Sequence, residues 1–209
     1  MLAALIIIVA FLICIGELNW KDTSTAILAL FSTFLGATFA FRLNENKEEE
    51  KIRSLQKEVI NHSLFILLRQ YNALALIKKK IEIYTTQFDL AFNLPVFKPP
   101  SYTDLNHDFY KLEFILASSK PNILLNLTLE QERFEQAIEA LRLRNDFCLK
   151  DLQPLVAQLA INQRETSLEE TKNILGEKIF FTAINLSKSL KRNIDATILS
   201  NQIIYRELK

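Results

Sequence analysis

Two uncharged apolar runs near the start of the chain restrict its possible folds more than any other feature. They cover residues 1–16 and 23–41, and a short, mostly polar segment separates them. A helix of about 20 apolar residues spans the ~30 Å hydrocarbon core of a bilayer. The second run has this length, and the first reaches it when it extends to Trp20, since tryptophan is favoured at membrane interfaces. The pattern therefore predicts a transmembrane helical hairpin over residues 1–41.

A cleaved signal peptide is the alternative interpretation of the first run. No Lys or Arg precedes that run, and no small-x-small cleavage site follows Gly16. A second spanning run then comes directly after it. These features favour the hairpin.

The distribution of basic residues predicts how the hairpin is oriented. The turn between the two runs holds one basic residue, Lys21. Five follow the second run closely: Arg42, Lys47, Lys51, Arg53 and Lys57. Because Lys and Arg near membrane ends are retained in the cytoplasm, we expect a multi-pass protein with both termini on the cytoplasmic side.

Small side chains form a stripe along the second run. Its members recur at three and four residues: Ala29, Ser32, Thr33, Gly36 and Ala40. Such small-x-x-x-small spacing lets helix backbones approach closely in lipid. The stripe fits either packing within one hairpin or self-association between protomers, with a weakly polar lining through Thr25, Ser32 and Thr33. Neither run contains an ionisable residue, which disfavours an ion-coupled transporter.

The rest of the chain has the composition of a helical bundle. It contains one glycine, Gly176, and the whole chain of 209 residues has only three, whereas average usage of about 7% would give roughly fifteen. Glycine-rich folds such as sandwiches and Rossmann domains are thereby disfavoured. The predicted fold class is all-α: the hairpin, then a cytoplasmic helical bundle over residues 42–209 with a long stalk helix at about 42–90.

A proline-rich segment at residues 93–102 interrupts the helical pattern, and its apolar side chains predict that it packs across the bundle. Capping boxes at Thr128 and Thr166 predict the starts of two later helices, and Gly176 predicts a close helix contact inside the second of them. Three or four helices are expected after the segment, at about 104–118, 128–149, 152–162 and 166–205.

A compact polar set, Arg69, Gln70 and Asn72, interrupts the strongly apolar stretch from Leu64 to Leu74. Two interpretations stay open. The set is either an exposed polar face or a buried or interfacial network that fixes register, switches state or binds a partner. The run Lys78-Lys79-Lys80 downstream has the composition of a solvated face.

No motif for catalysis or cofactor binding is present. Cys14 and Cys148 lack metal-ligand spacing, and His62 and His107 lie in separate segments, which predicts a surface or capping role for His107. The formal net charge of +1 disfavours a dedicated, sequence-specific nucleic-acid binder. We expect neither enzymatic activity nor a cofactor.

The layout resembles the small two-transmembrane effectors of bacterial anti-phage systems, particularly those encoded beside retron reverse transcriptases. The resemblance rests on the hairpin, the charged helix after it and the segment Leu67–Leu74, and it covers the general layout of the whole chain. It implies an inner-membrane effector, held inactive by a cytoplasmic protein or ribonucleoprotein partner, that assembles as a homo-oligomer and damages the lipid bilayer on release. A non-toxic membrane-tethered scaffold or adaptor is the main alternative, and a holin-like lysis protein is a third.

Overall fold

The structure, a computed structural model, describes residues 20–98, 102, 104–159 and 168–209, with side chains from Ser24 onward. Within these ranges 86% of the residues are helical and none lies in a strand. The all-α class predicted from the glycine shortage is therefore confirmed. The first apolar run, residues 1–16, and Thr166 of a predicted capping box lie outside the described residues.

Six α-helices are described, together with a 3-10 helix and a π-helical turn. In chain order they are α1 Trp20–Ile81, α2 Gln87–Phe92, the 3-10 helix Tyr110–Ala117, α3 Asn122–Phe147, the π-turn Cys148–Leu152, α4 Gln153–Gln158, α5 Leu168–Leu175 and α6 Glu177–Leu208. Pro154 lies in the first turn of α4, where its missing N–H has no helical partner to lose.

The first helix ends nine residues before its predicted end near residue 90. The chain turns after Ile81, where the Tyr84 amide donates to the Ile81 carbonyl at 3.0 Å. Thr86 then caps α2, because its hydroxyl oxygen accepts from the Asp89 amide at 3.0 Å. Apolar periodicity alone predicts one helix here. The structure has two, because the mostly β-branched stretch at residues 83–86 ends with Thr86, a good N-cap residue.

The described residues divide into two units, with the boundary between Leu55 and Gln56. In the second unit, α3 and α6 pack along each other, and the C-terminal half of α1 contributes apolar side chains to the same core. The largest buried cluster takes members from all three helices, among them Leu74, Ile77, Phe134, Leu141, Leu190 and Ile194. Phe97 and Tyr102, from the proline-rich segment, pack against that cluster.

The capping box predicted at Thr128 is wrong. The helix begins at Asn122 behind Pro121, and Thr128 lies inside it, donating its hydroxyl to the Leu124 carbonyl at 3.0 Å. Proline favours helix starts because its φ is already helical. The helix predicted over residues 104–118 is also shorter than expected, since only Tyr110–Ala117 is helical there, as a 3-10 helix.

Gly176 does not mark a close helix contact. It separates α5 from α6 with φ +78° and ψ 152°, a conformation that residues with a Cβ rarely adopt. No atom lies within 4 Å of the position a Cβ would occupy. The backbone conformation between α5 and α6 therefore requires a glycine. The continuous helix predicted from 166 to 205 is wrong, since α5 and α6 are two helices.

Candidate functional site

The apolar segment of α1, residues 24–41, carries its large side chains on the surface of the chain. None of its most apolar 18-residue window, with a mean hydropathy of 1.7, is buried. By length and composition α1 is the one helix in the described residues that could cross a membrane. Water-soluble proteins rarely expose so large a contiguous apolar surface. Its exposed side chains include Ile27, Leu28, Leu30, Phe31, Phe34, Leu35, Phe39 and Phe41.

The small-residue stripe runs along one side of this segment. Its members Ala29, Ser32, Thr33, Gly36 and Ala40 are all exposed. A Cβ added at Gly36 would meet no atom within 4 Å among the described residues. A backbone left bare in this way can be approached closely by another helix.

The hydroxyl groups of the segment donate within their own helix. Ser32 donates to the Leu28 carbonyl and Thr33 to the Ala29 carbonyl, both at 2.8 Å. Thr38 does the same to the Phe34 carbonyl at 2.8 Å. Each donor is thereby satisfied without water, which is the condition for placing a hydroxyl in hydrocarbon.

The polar set in the second unit is divided between core and surface. Gln70 is fully buried, whereas Arg69 and Asn72 are exposed. Arg69 forms a surface ion pair in which its guanidinium donates to the Asp104 carboxylate at 2.5 Å. Gln70 therefore fits the interpretation of a buried network, whereas Arg69 and Asn72 fit that of an exposed polar face.

Gln70 is the centre of a buried hydrogen-bond chain between three segments. Its amide nitrogen donates to the Leu105 carbonyl and to Oε1 of Gln131, both at 2.9 Å. The Gln131 amide in turn donates to Asn106 Oδ1 at 2.8 Å and to Glu135 Oε1 at 2.9 Å. The chain fixes the register of α1 against α3 and the loop before the 3-10 helix, since buried amides left unpaired are costly.

Exposed apolar side chains flank the outward-facing members of the polar set. Phe65, Leu68 and Leu76 are 54%, 47% and 66% exposed. Together with Asn72 they follow the spacing i, i+3, i+7, i+11, so they lie along one face of α1. We call this face, Phe65, Leu68, Asn72 and Leu76, the outer stripe. An exposed apolar surface that continues along one helix face is typical of protein-binding surfaces.

The α3–α6 interface contains a buried carboxyl group that the sequence analysis does not identify. Glu130 is fully buried, and Ser200 donates its hydroxyl to Oε2 of Glu130 at 2.5 Å. Burial raises the pKa of Glu130 to about 7, although Ser200 and the Arg133 guanidinium, 3.7 Å away, act in the opposite direction. The group is therefore poised between its two protonation states near neutral pH.

A buried arginine holds the start of the proline-rich segment. Arg144 donates from its guanidinium to the carbonyls of Leu94 and Pro95, and the Asn145 amide donates to the Phe97 carbonyl at 2.7 Å. Burial lowers the pKa of Arg144, and carbonyl dipoles compensate the buried charge. Two adjacent residues of α3 thus satisfy three carbonyls of the proline-rich segment.

The surface or capping role predicted for His107 is wrong. Its side chain is buried, neither ring nitrogen has a hydrogen-bond partner among the described residues, and its ring lies 5.9 Å from that of Phe109. Burial, with a smaller effect of His62, lowers the pKa of His107 to about 4. The ring is therefore neutral at physiological pH and packs as an apolar group.

Within the described ranges, no group of three metal-ligating side chains comes together. Cys148 is a buried free thiol, and burial raises its pKa, so the nucleophilic thiolate form is disfavoured. Comparison with protein-family models, curated proteins and solved structures finds no match to this chain.

Proposed function

We propose that the chain is a membrane-anchored effector of bacterial anti-phage defence that acts by abortive infection. A cytoplasmic protein or ribonucleoprotein partner keeps it inactive, and release lets the N-terminal hairpin assemble and disrupt the inner membrane. In this proposal the protein is multi-pass with both termini in the cytoplasm. It acts without a cofactor or enzymatic step.

The observation that carries the proposal is the small-residue stripe on an apolar segment of which no part is buried. A helix that only anchors a domain in lipid needs apolar side chains but no bare backbone. Ala29, Gly36 and Ala40 give α1 a face on which a second helix fits closely. Because the segment has no ionisable side chain, packing of several copies is a more suitable basis for permeability than a charged pathway.

The outer stripe supports a protein partner for the cytoplasmic unit. Leu68 and Leu76 place apolar surface in water without contributing to the core on the other side of α1. Burying such side chains contributes about 25 cal/mol per Å² of apolar surface. A partner that covers this face would therefore gain affinity by burying apolar surface that is exposed to solvent in the free chain.

The direct cellular test is induction of the chain in bacteria that lack any partner, followed with a membrane-potential dye. The proposal predicts depolarisation and growth arrest soon after induction. Unchanged potential and growth, with the chain shown to be in the membrane fraction, would contradict it.

The partner is tested in the native host, where the wild-type chain should be tolerated. Leu76→Asp places a charge in the outer stripe and should release the effector, so that the variant depolarises cells that tolerate the wild type. Leu143→Asp is the matched control, because Leu143 is also an exposed leucine, 53% against 66% for Leu76, and lies on α3 outside the outer stripe. Equal tolerance of all three chains would exclude the outer stripe as the inhibitory contact.

A non-toxic tethered scaffold or adaptor is the second candidate, and the exposed outer stripe is also consistent with it. The two candidates differ in what they require of residues 1–41. A scaffold keeps its function when an unrelated hairpin replaces these residues, whereas an effector loses its toxicity.

A further inference from the structure

A cleft lies between α6 and the loop that follows α1. Tyr84 and Thr85 form one wall, and Lys188, Lys191 and Arg192 of α6 contribute to the other. Its volume is about 450 Å³, within the range of small-molecule sites. None of these residues belongs to the polar network, the outer stripe or the apolar segment described above.

The three cationic side chains share one face of α6, because they follow the spacing i, i+3, i+4. All three are exposed, and in the part of the chain that the structure describes none of them forms an ion pair. Like charges at this spacing repel one another. The helix therefore carries a concentration of positive charge that its own side chains leave uncompensated.

The one carboxylate of the cleft, Asp195, is already occupied. Lys78 Nζ lies 2.7 Å from Asp195 Oδ1 and 3.7 Å from Glu82 Oε1. The hydrogen bond to Asp195 raises the pKa of Lys78, as expected for a charged pair. Asp195 is thus committed to a fourth cation and does not neutralise the other three.

We propose that this cleft binds a small molecule or headgroup that carries two phosphate groups. A single phosphomonoester carries a charge of about −1.5 to −2 at pH 7, less than the three uncompensated positive charges of Lys188, Lys191 and Arg192, whereas two linked phosphates match them better. The Arg192 guanidinium can bind phosphate oxygens in a fork, while the two lysines act as point charges. This inference does not depend on the membrane-disrupting activity proposed above.

Calorimetric titration of the full chain in phosphatidylcholine nanodiscs with inorganic pyrophosphate tests the site, at constant ionic strength. Saturable binding is expected, and the double substitution Lys188→Gln with Arg192→Gln should weaken it by at least about tenfold. Lys178→Gln, at an exposed lysine of the same helix outside the cleft, should change the affinity by less than about twofold. Lys188→Arg keeps the charge and should retain binding.

A second arm distinguishes a free ligand from a lipid headgroup. In nanodiscs that contain cardiolipin, whose headgroup has two phosphates, a lipid ligand should compete with pyrophosphate in the wild type and not in the double variant. Unchanged pyrophosphate affinity in these nanodiscs would instead identify a free ligand. Absence of saturable pyrophosphate binding, equal binding by the double variant, or binding of RNA alone would overturn the proposal.

Discussion

Glu130 is the residue whose environment makes the clearest prediction about pH. A carboxyl group with pKa about 7 in the folded state has an ordinary value near 4.3 in the unfolded chain. Below about pH 3.5 both states hold the proton, so the group contributes nothing to the pH dependence. Between about pH 4.5 and 7 the unfolded chain ionises first, and the free energy of unfolding falls by about 3 kcal/mol as pH rises.

Glu130→Gln removes this dependence while it keeps an oxygen that can accept from Ser200. The stability of the variant relative to wild type should therefore rise by about 3 kcal/mol between pH 4.5 and 8. Thermal unfolding of the full chain in detergent, followed by circular dichroism, measures the difference. His107, with its pKa lowered to about 4, acts below pH 6.5 in the opposite direction but cancels in this comparison. A difference that stays constant with pH would contradict the assignment.

Alanine substitutions at Gln70 and Asn72 compare a buried and an exposed member of the polar set. Gln70→Ala removes two buried hydrogen bonds and leaves Gln131 Oε1 without its donor, so we expect a loss of about 2–4 kcal/mol in stability. Asn72→Ala changes an exposed side chain on the same helix and should stay within about 0.5 kcal/mol of wild type. Equal effects in thermal unfolding would show that Gln70 is not a structural centre of the core.

The direction of Gln70 follows from helical geometry. Leu67, Leu74 and Ile77 lie three, four and seven residues from Gln70, so all four share one face of α1. Arg69 and Asn72 are rotated away from that face. Helical spacing in the sequence therefore distinguishes Gln70 from Arg69 and Asn72. It does so only once the buried face of α1 has been assigned.

At the scale of elements, α3 explains why several buried polar groups escaped sequence analysis. Leu127, Phe134 and Leu141 mark its buried face at helical spacing, and Glu130, Gln131, Arg144 and Asn145 lie along the same side. Polar residues at such positions look like solvated ones until their partners are known. The partners that hold them in the core include Asn106, Leu94, Phe97 and Ser200, each at least 25 residues away in the chain.

Helix boundaries were less predictable than helix existence for a related reason. The ends at Ile81 and Gly176 depend on local backbone conformation, and the predicted capping box at Thr128 was overridden by a start at Asn122. A capping motif acts only where a helix begins. The apolar periodicity starts at residue 122, so Thr128 lies inside the helix and cannot cap it.

The break between α5 and α6 gives a prediction at this scale. Gly176→Ala forces a Cβ into a conformation with φ +78°, so stability should fall by about 1–3 kcal/mol although no atom blocks the methyl group. Gly36→Ala, the same change within a helix, should not destabilise the chain. Thermal unfolding distinguishes the two, and an unchanged melting temperature for Gly176→Ala would show that the break relaxes without strain.

In the molecule as a whole, the two units have surfaces of different character. The second unit has a packed core with interlocking polar networks, which suits a domain that recognises a partner through its surface. The first presents apolar side chains and bare backbone on α1, which suits assembly in lipid. The hairpin and its orientation belong to the proposal, whereas the helical class and the apolar helix belong to the structure.

Dye leakage from lipid vesicles tests the proposal that the chain itself disrupts bilayers through the small-residue stripe. The purified full chain, inserted without any partner, should release an encapsulated dye. Gly36→Leu should abolish leakage because it fills the stripe, while Thr38→Leu, which adds bulk on the opposite side of α1, should not. Intact vesicles with verified insertion of the wild-type chain, or equal leakage by Gly36→Leu, would contradict the account.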